Sequence, residues 1–170
     1  MVKKIIYILI TLPALIGFIV SSCGNNGCEE IRESFCLAEL SSTSGAKIDQ
    51  LYAYGIGRGG GEKDSAGVAT DSIMFEENNP KSLEFILNPN SATADIRLQM
   101  NITLDGDKYQ YCDTIHFLYE PHPFFLNMDC GCSMYFSLQE VTCTNNFLRG
   151  VTIKRNEITN EENTNLTIEY

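Results

Sequence analysis

The residues most able to do chemistry are seven cysteines: Cys23, Cys28, Cys36, Cys112, Cys130, Cys132 and Cys143. Cys130-Gly131-Cys132 is the closest pair. A thiol–disulfide exchanger needs a thiolate stabilised by a helix N-terminus or a nearby cation. The flanking residues are instead Asp129 and Ser133. Two cysteines so close in an extended chain bond poorly to each other, so each should take a separate structural partner. His116, Glu120 and His122 form a second group of shared strand parity, and imidazole and carboxylate are zinc ligands. Pro121 and Pro123 bend the chain there, which makes these three weak metal candidates and favours exposed residues near a turn; no metal or other cofactor is expected. Gly55, Gly57 and Gly60 spell G-x-G-x-x-G, but a dinucleotide site needs a helix after the last glycine. "GEKDSAGVATDS" reads as a loop leading to another strand, and Lys63 is followed by Asp64 rather than the Ser or Thr of a phosphate loop. No serine–histidine–acid constellation stands out.

These groups depend on where the chain goes. Lys3 and Lys4 precede an apolar stretch, Ile5 to Val20. That order is the pattern of a secretory signal, and the stretch is short for a spanning helix. It ends in Val20-Ser21-Ser22-Cys23, which resembles the bacterial lipobox: an aliphatic residue, two small residues, then cysteine. The resemblance implies cleavage before Cys23 after its thiol receives a lipid. Residues 1–22 are then a lipoprotein signal peptide and 23–30 a polar tether. Several acyl chains, palmitate among them, would hold Cys23 firmly, since a single chain binds only marginally. Removal of Cys23 from the pool leaves an even six cysteines for disulfides in an oxidising compartment. At least one of Cys28 and Cys36 is expected to bond Cys130 or Cys132, closing a loop of about a hundred residues.

The chain of 170 residues carries a net charge of -10, which becomes -12 when Lys3 and Lys4 are removed. Such acidity argues against nucleic acid and against attraction to anionic headgroups. The mature length suits one domain with its own core.

The elements read as strands. In "ADIRLQMNITL", Ala94, Ile96, Leu98, Met100, Ile102 and Leu104 alternate with polar residues, a period of two with one face buried. Asp105-Gly106 makes a hairpin turn. The return strand "KYQYCDTIHFLYE" is expected to stop at Pro121 and Pro123. Further strands are "IDQLYAYGIG", "DSIMFE", "SLEFILN", "FFLNM", "SMYFSLQEV", "FLRGVTIKR" and "NLTIEY". "IRESFCLAELSS" fits a strand better than a helix. The whole is expected to be all-β: residues 31–170 as a single antiparallel β-sandwich, Ig-like or jelly-roll-like.

"LYAYGIG", "DTIHFLY", "FFLNMDCG", "MYFSLQEVT" and "NLTIEY" together resemble a family of small uncharacterised lipoproteins of the Bacteroidetes. The resemblance runs from about residue 28 to 170 and implies a lipid-anchored β-domain without implying an activity. Cys132 is additional to the Cys-Gly pair of that pattern. Exported proteins of that group are often O-glycosylated at Asp-(Ser/Thr)-apolar. Ser65, Ser72 and Thr114 fit, with Ser65 in the most open setting. The expected function is a binding or structural module of the cell envelope, lipid-anchored through Cys23, in the outer membrane, without catalysis. Its protein or glycan partner would meet loops or a sheet face, with Tyr52, Tyr54, Tyr109 and Tyr111 as candidates. The alternative is an envelope hydrolase or zinc-dependent enzyme with a dispersed site.

Overall fold

A computed structural model describes residues 33–43, 45–56, 62–63, 69–70, 73–128 and 131–170. The expected signal segment (residues 1–22), Cys23, Cys28, Cys130, Gly57, Gly60, Ser65 and Ser72 lie outside the described residues. The strands are β1 (Cys36–Ser41), β2 (Lys47–Gly55), β3 (Glu62–Lys63), β4 (Ala69–Thr70), β5 (Ile73–Asn78), β6 (Ser82–Phe85), β7 (Thr93–Leu104), β8 (Asp107–Asn127), β9 (Gly131–Cys143), β10 (Gly150–Ile153), β11 (Glu157–Ile158) and β12 (Thr164–Glu169). The described residues contain no helix. One sheet has the order β10-β12-β1-β6 and the other β11-β9-β8-β7-β2-β5; β3 and β4 pair by themselves. The sheets curl into a sandwich-like half-barrel, as the alternating strands predict. One pair departs from the antiparallel expectation: β1 and β12 run parallel.

The core lies between the two sheets. Leu83, Phe85, Leu166 and Ile168 enter from the smaller sheet; Leu51, Leu98, Met100, Ile115 and Phe117 enter from the larger. Phe85 and Phe117 meet edge to face across the interior, with ring centroids 5.3 Å apart. The β7–β8 hairpin follows its sequence pattern closely. Ile96, Leu98, Met100 and Ile102 are buried, and Asp105 and Gly106 both take positive φ, 53° and 93°, as a twisted two-residue turn demands. Ala94 is half-buried, and Leu104, beside that turn, departs by being 40% exposed.

β8 does not stop at Pro121. It runs for 21 residues and pairs with β9 through both prolines, Pro121 with Phe136 and Pro123 with Met134. The reason lies in which neighbour is absent. Tyr119 donates its N–H to Ala92 O at 2.9 Å, away from β9, so strand alternation points the nitrogens of Pro121 and Pro123 to that same side. β7 begins at Thr93, opposite Leu118. Past that point the edge has no partner strand among the described residues, and a proline there loses no ladder bond. "FFLNM" is therefore the end of β8 rather than a strand of its own. Phe147 to Arg149 likewise form a loop, and β10 starts only at Gly150.

Buried polar side chains hold the loops that cross between sheets. At the β6-to-β7 crossing, Tyr119 donates its hydroxyl to Asn88 O at 3.0 Å and accepts the Asn88 N–H at 3.1 Å. At β10-to-β11, Asn165 donates to Glu157 O at 2.8 Å while accepting the Leu37 N–H at 3.1 Å. At β9-to-β10 the holder is Asp113. Buried polar groups of this kind need such partners, and here the partners lie in or beside segments that change sheets.

Candidate functional site

β1 points Cys36 and Ala38 into the core and so turns Phe35 and Leu37 to its outer face. On β6, Glu84 pairs with Leu37 and faces outward as well. The segment from Thr159 to Glu162, between β11 and β12, rises beside them. Together they form an open cleft of about 360 Å³ with Phe35 and Leu37 as its apolar floor. Glu33, Glu84, Glu161 and Glu162 supply four carboxylates, and Thr159 and Asn160 complete the wall. No lysine, arginine, histidine or cysteine lines it among the described residues.

The wall is internally braced. Thr159 Oγ1 accepts the Glu161 N–H at 3.2 Å. Asn163 donates its backbone N–H to Glu161 O and its side-chain amide to Glu161 Oε2, both at 2.9 Å. Asn160 Oδ1 accepts the Tyr135 hydroxyl at 2.7 Å, tying the wall to the β8–β9 hairpin. The cleft was not foreseen, because its residues span Glu33 to Glu162. The only local signal was the alternation that sets Phe35 and Leu37 opposite Cys36 and Ala38.

The sequence-predicted groups are largely kept apart. His116 Nδ1 lies 2.8 Å from Asp95 Oδ1 at the surface, and His122 Nε2 lies 3.8 Å from Glu157 Oε2. Each imidazole thus faces a carboxylate from another strand, Asp95 or Glu157. Among the described residues, no group of three or more His, Cys, Asp or Glu could hold a metal ion. Ser137 donates to Glu157 Oε1 at 2.7 Å, so Glu157 stands between Ser137 and His122. A serine nucleophile needs its hydroxyl on the base; this order makes a surface polar bridge instead.

Cys36, Cys112, Cys132 and Cys143 carry free thiols. Cys36 is fully buried, and burial pushes its thiol far up; it acts as a small core residue. Cys132 is exposed near the end of the hairpin. Cys28 and Cys130, two of the cysteines in the expected long-range pairings, lie outside the described residues. The tyrosines also separate. Tyr52 and Tyr54 stack on the outer face, centroids 6.3 Å apart. Tyr111 pairs with the buried Met100 on the inner face and stacks on Phe147 at 5.0 Å.

Asp113, noted in the sequence only as the first residue of a glycosylation pattern, is the centre of a buried anion nest. It is 1% exposed. Its carboxylate accepts the Thr144 hydroxyl at 2.6 Å and the backbone N–H groups of Asn146, Phe147 and Leu148 at 2.8, 2.8 and 2.9 Å. Thr114 lies mid-strand with its own N–H bound to Thr144 Oγ1 at 2.8 Å.

These features define a sandwich-like, all-β protein with an open, carboxylate-rimmed cleft and no converging nucleophile and base among the described residues. Residues 65–170 match a family of unknown function, DUF6452, and the chain belongs to that family. The matched span holds Glu84, Asp113 and the Thr159–Glu162 wall, whereas β1, which fills the place between β12 and β6, precedes it. No curated protein and no solved structure matches the chain.

Proposed function

We propose that this is a binding module of the bacterial cell envelope, held to the outer membrane by lipid on Cys23, whose cleft takes a cationic, partly apolar ligand such as a basic segment of an envelope protein. The observation that carries the binding role is the cleft itself: an apolar floor of Phe35 and Leu37 beneath four glutamates. Carboxylates around a partly enclosed apolar floor favour a ligand with positive charge on an apolar body. Anchoring is supported by the lipobox-like Val20-Ser21-Ser22-Cys23 and the basic and apolar stretches before it.

Titration of the full chain with short Lys/Phe peptides tests the binding role. Binding should weaken with salt, and Glu84→Lys with Glu161→Lys should abolish it. Acidic peptides of the same apolar content should fail to bind. Equal binding of both peptide classes, or none of either, would remove the cleft from consideration. The anchor is tested by detergent partitioning. Wild type should enter the detergent phase and Cys23→Ala the aqueous phase, and equal aqueous partitioning of the two would defeat it.

A further inference from the structure

We propose that the end of the β8–β9 hairpin, carrying Phe124, Phe125 and Met128, dips into the lipid surface to which the chain is tethered. The proposal rests on the lipid anchor at Cys23. Phe124 is 48% exposed, Phe125 57% and Met128 90%, and no other part of the described surface gathers so many large apolar side chains in five residues. Strand alternation places Phe124 and Phe125 on opposite faces of the ribbon. Phe124 stacks on Tyr135 at 4.7 Å on one face; Phe125 pairs with Cys132 on the other. A flat protein partner would cover one face only. A ribbon apolar on both faces fits a medium that surrounds it, and the headgroup–acyl boundary accepts apolar side chains to a depth of about 5–10 Å.

The position of the tether selects the lipid surface over other occupants. The described chain begins at Glu33, which lines the cleft together with Asn160. Asn160 is bonded to Tyr135, and Tyr135 is stacked on Phe124. The chain therefore leaves the domain beside the hairpin. From Cys23 to Glu33 is ten residues, a reach of at most about 35 Å, so the domain is held close to the bilayer with this end nearest. The Asp105-Gly106 turn lies at the far end of β8. No lysine or arginine occurs between Lys108 and Arg149. Insertion would thus rest on apolar contact, not on attraction to anionic lipid.

The chain contains no tryptophan, so Phe125→Trp creates a sole reporter at the tip and Tyr109→Trp one at the opposite end. Each full-length, lipidated variant is reconstituted into phosphatidylcholine vesicles with nitroxide-labelled acyl chains, and flotation is measured alongside. The expected result is a blue-shifted Phe125→Trp emission, quenched several-fold more strongly by labelled lipid than Tyr109→Trp and unchanged by salt. Adding Phe124→Ser and Met128→Ser should remove most of that quenching without changing flotation. Protein that floats while its Phe125→Trp stays open to iodide and unquenched by lipid overturns the tip proposal and leaves the anchor standing. Protein that does not float overturns both. A blue shift that appears without vesicles and grows with protein concentration also overturns it, making a second copy of the chain the occupant.

Discussion

Asp113 and Leu148, 35 positions apart, meet inside the protein through a 2.9 Å bond from the Leu148 N–H to Asp113 Oδ2. The bond is one of several that fold the segment after β9 around a single carboxylate before the chain crosses to the other sheet. Removing the carboxylate should be costly, because the buried Leu148 N–H would be left unpaired, at about 1–3 kcal/mol, and the part-buried Asn146 and Phe147 N–H groups would lose their acceptor as well. Asp113→Ala is expected to lower stability by about 3 kcal/mol or more. Asp113→Asn, which keeps one acceptor oxygen, should lose roughly half as much. Chemical denaturation of both variants checks the order. A near-neutral Asp113→Ala would mean that the loop is not held by the carboxylate.

The β7 register gives a second expectation. Met100 is fully buried and pairs with Leu51 and Tyr111, whereas Gln99 points outward between Tyr52 and Cys112. Met100→Asp would place an unpaired charge in the core and should prevent stable folding or cost more than about 4 kcal/mol. Gln99→Asp should stay within about 0.5 kcal/mol of wild type. Thermal melts in the reverse order would put the strand out by one residue.

The β7–β8 hairpin was legible in the sequence because both of its determinants are local: a period-two pattern and an Asp-Gly turn. The continuation of β8 through two prolines was not. Whether a proline breaks a strand depends on which neighbour its nitrogen faces, and that depends on where β7 begins. Asp113 was illegible for a related reason. Its partners are backbone amides more than thirty residues later, and amides carry no sequence signal. The His116, Glu120 and His122 set looked like one face by parity, yet Asp95 and Glu157 from other strands reach each imidazole separately. Cys36 showed its parity but not its depth, which comes from the parallel β12 on one side and β6 on the other.

The prolines themselves yield a third expectation. With its nitrogens methylene-blocked, the open edge of β8 beyond Leu118 offers no donor at positions 121 and 123, a known guard against edge-to-edge pairing. Replacing both by valine restores two N–H donors on an exposed edge rich in β-forming residues. The double variant should fold and retain the β8–β9 pairing, but self-associate. Sedimentation velocity at rising concentration should show dimers or larger species absent from wild type. A strictly monomeric double variant would indicate that something else covers this edge.

The free thiols give the last expectation, and it carries a pH dependence. Burial pushes Cys36 well above the ordinary thiol value of 9.0, so the folded state binds this proton more tightly than the unfolded chain. The sign follows: the stability tied to the neutral thiol is complete below about pH 9 and is lost as pH climbs beyond it. Cys143 is also raised, by burial first and by the Asp113 charge second. Cys132 is exposed on the hairpin, open to reagents from solvent. At pH 8, mass spectrometry of native protein treated with iodoacetamide should find Cys132 modified, Cys143 modified slowly, and Cys36 untouched until the protein unfolds. Cys36→Ala should lose less stability than wild type between pH 8 and pH 10.5. Alkylation of Cys36 as fast as Cys132 would contradict its burial in the core between β6 and β12.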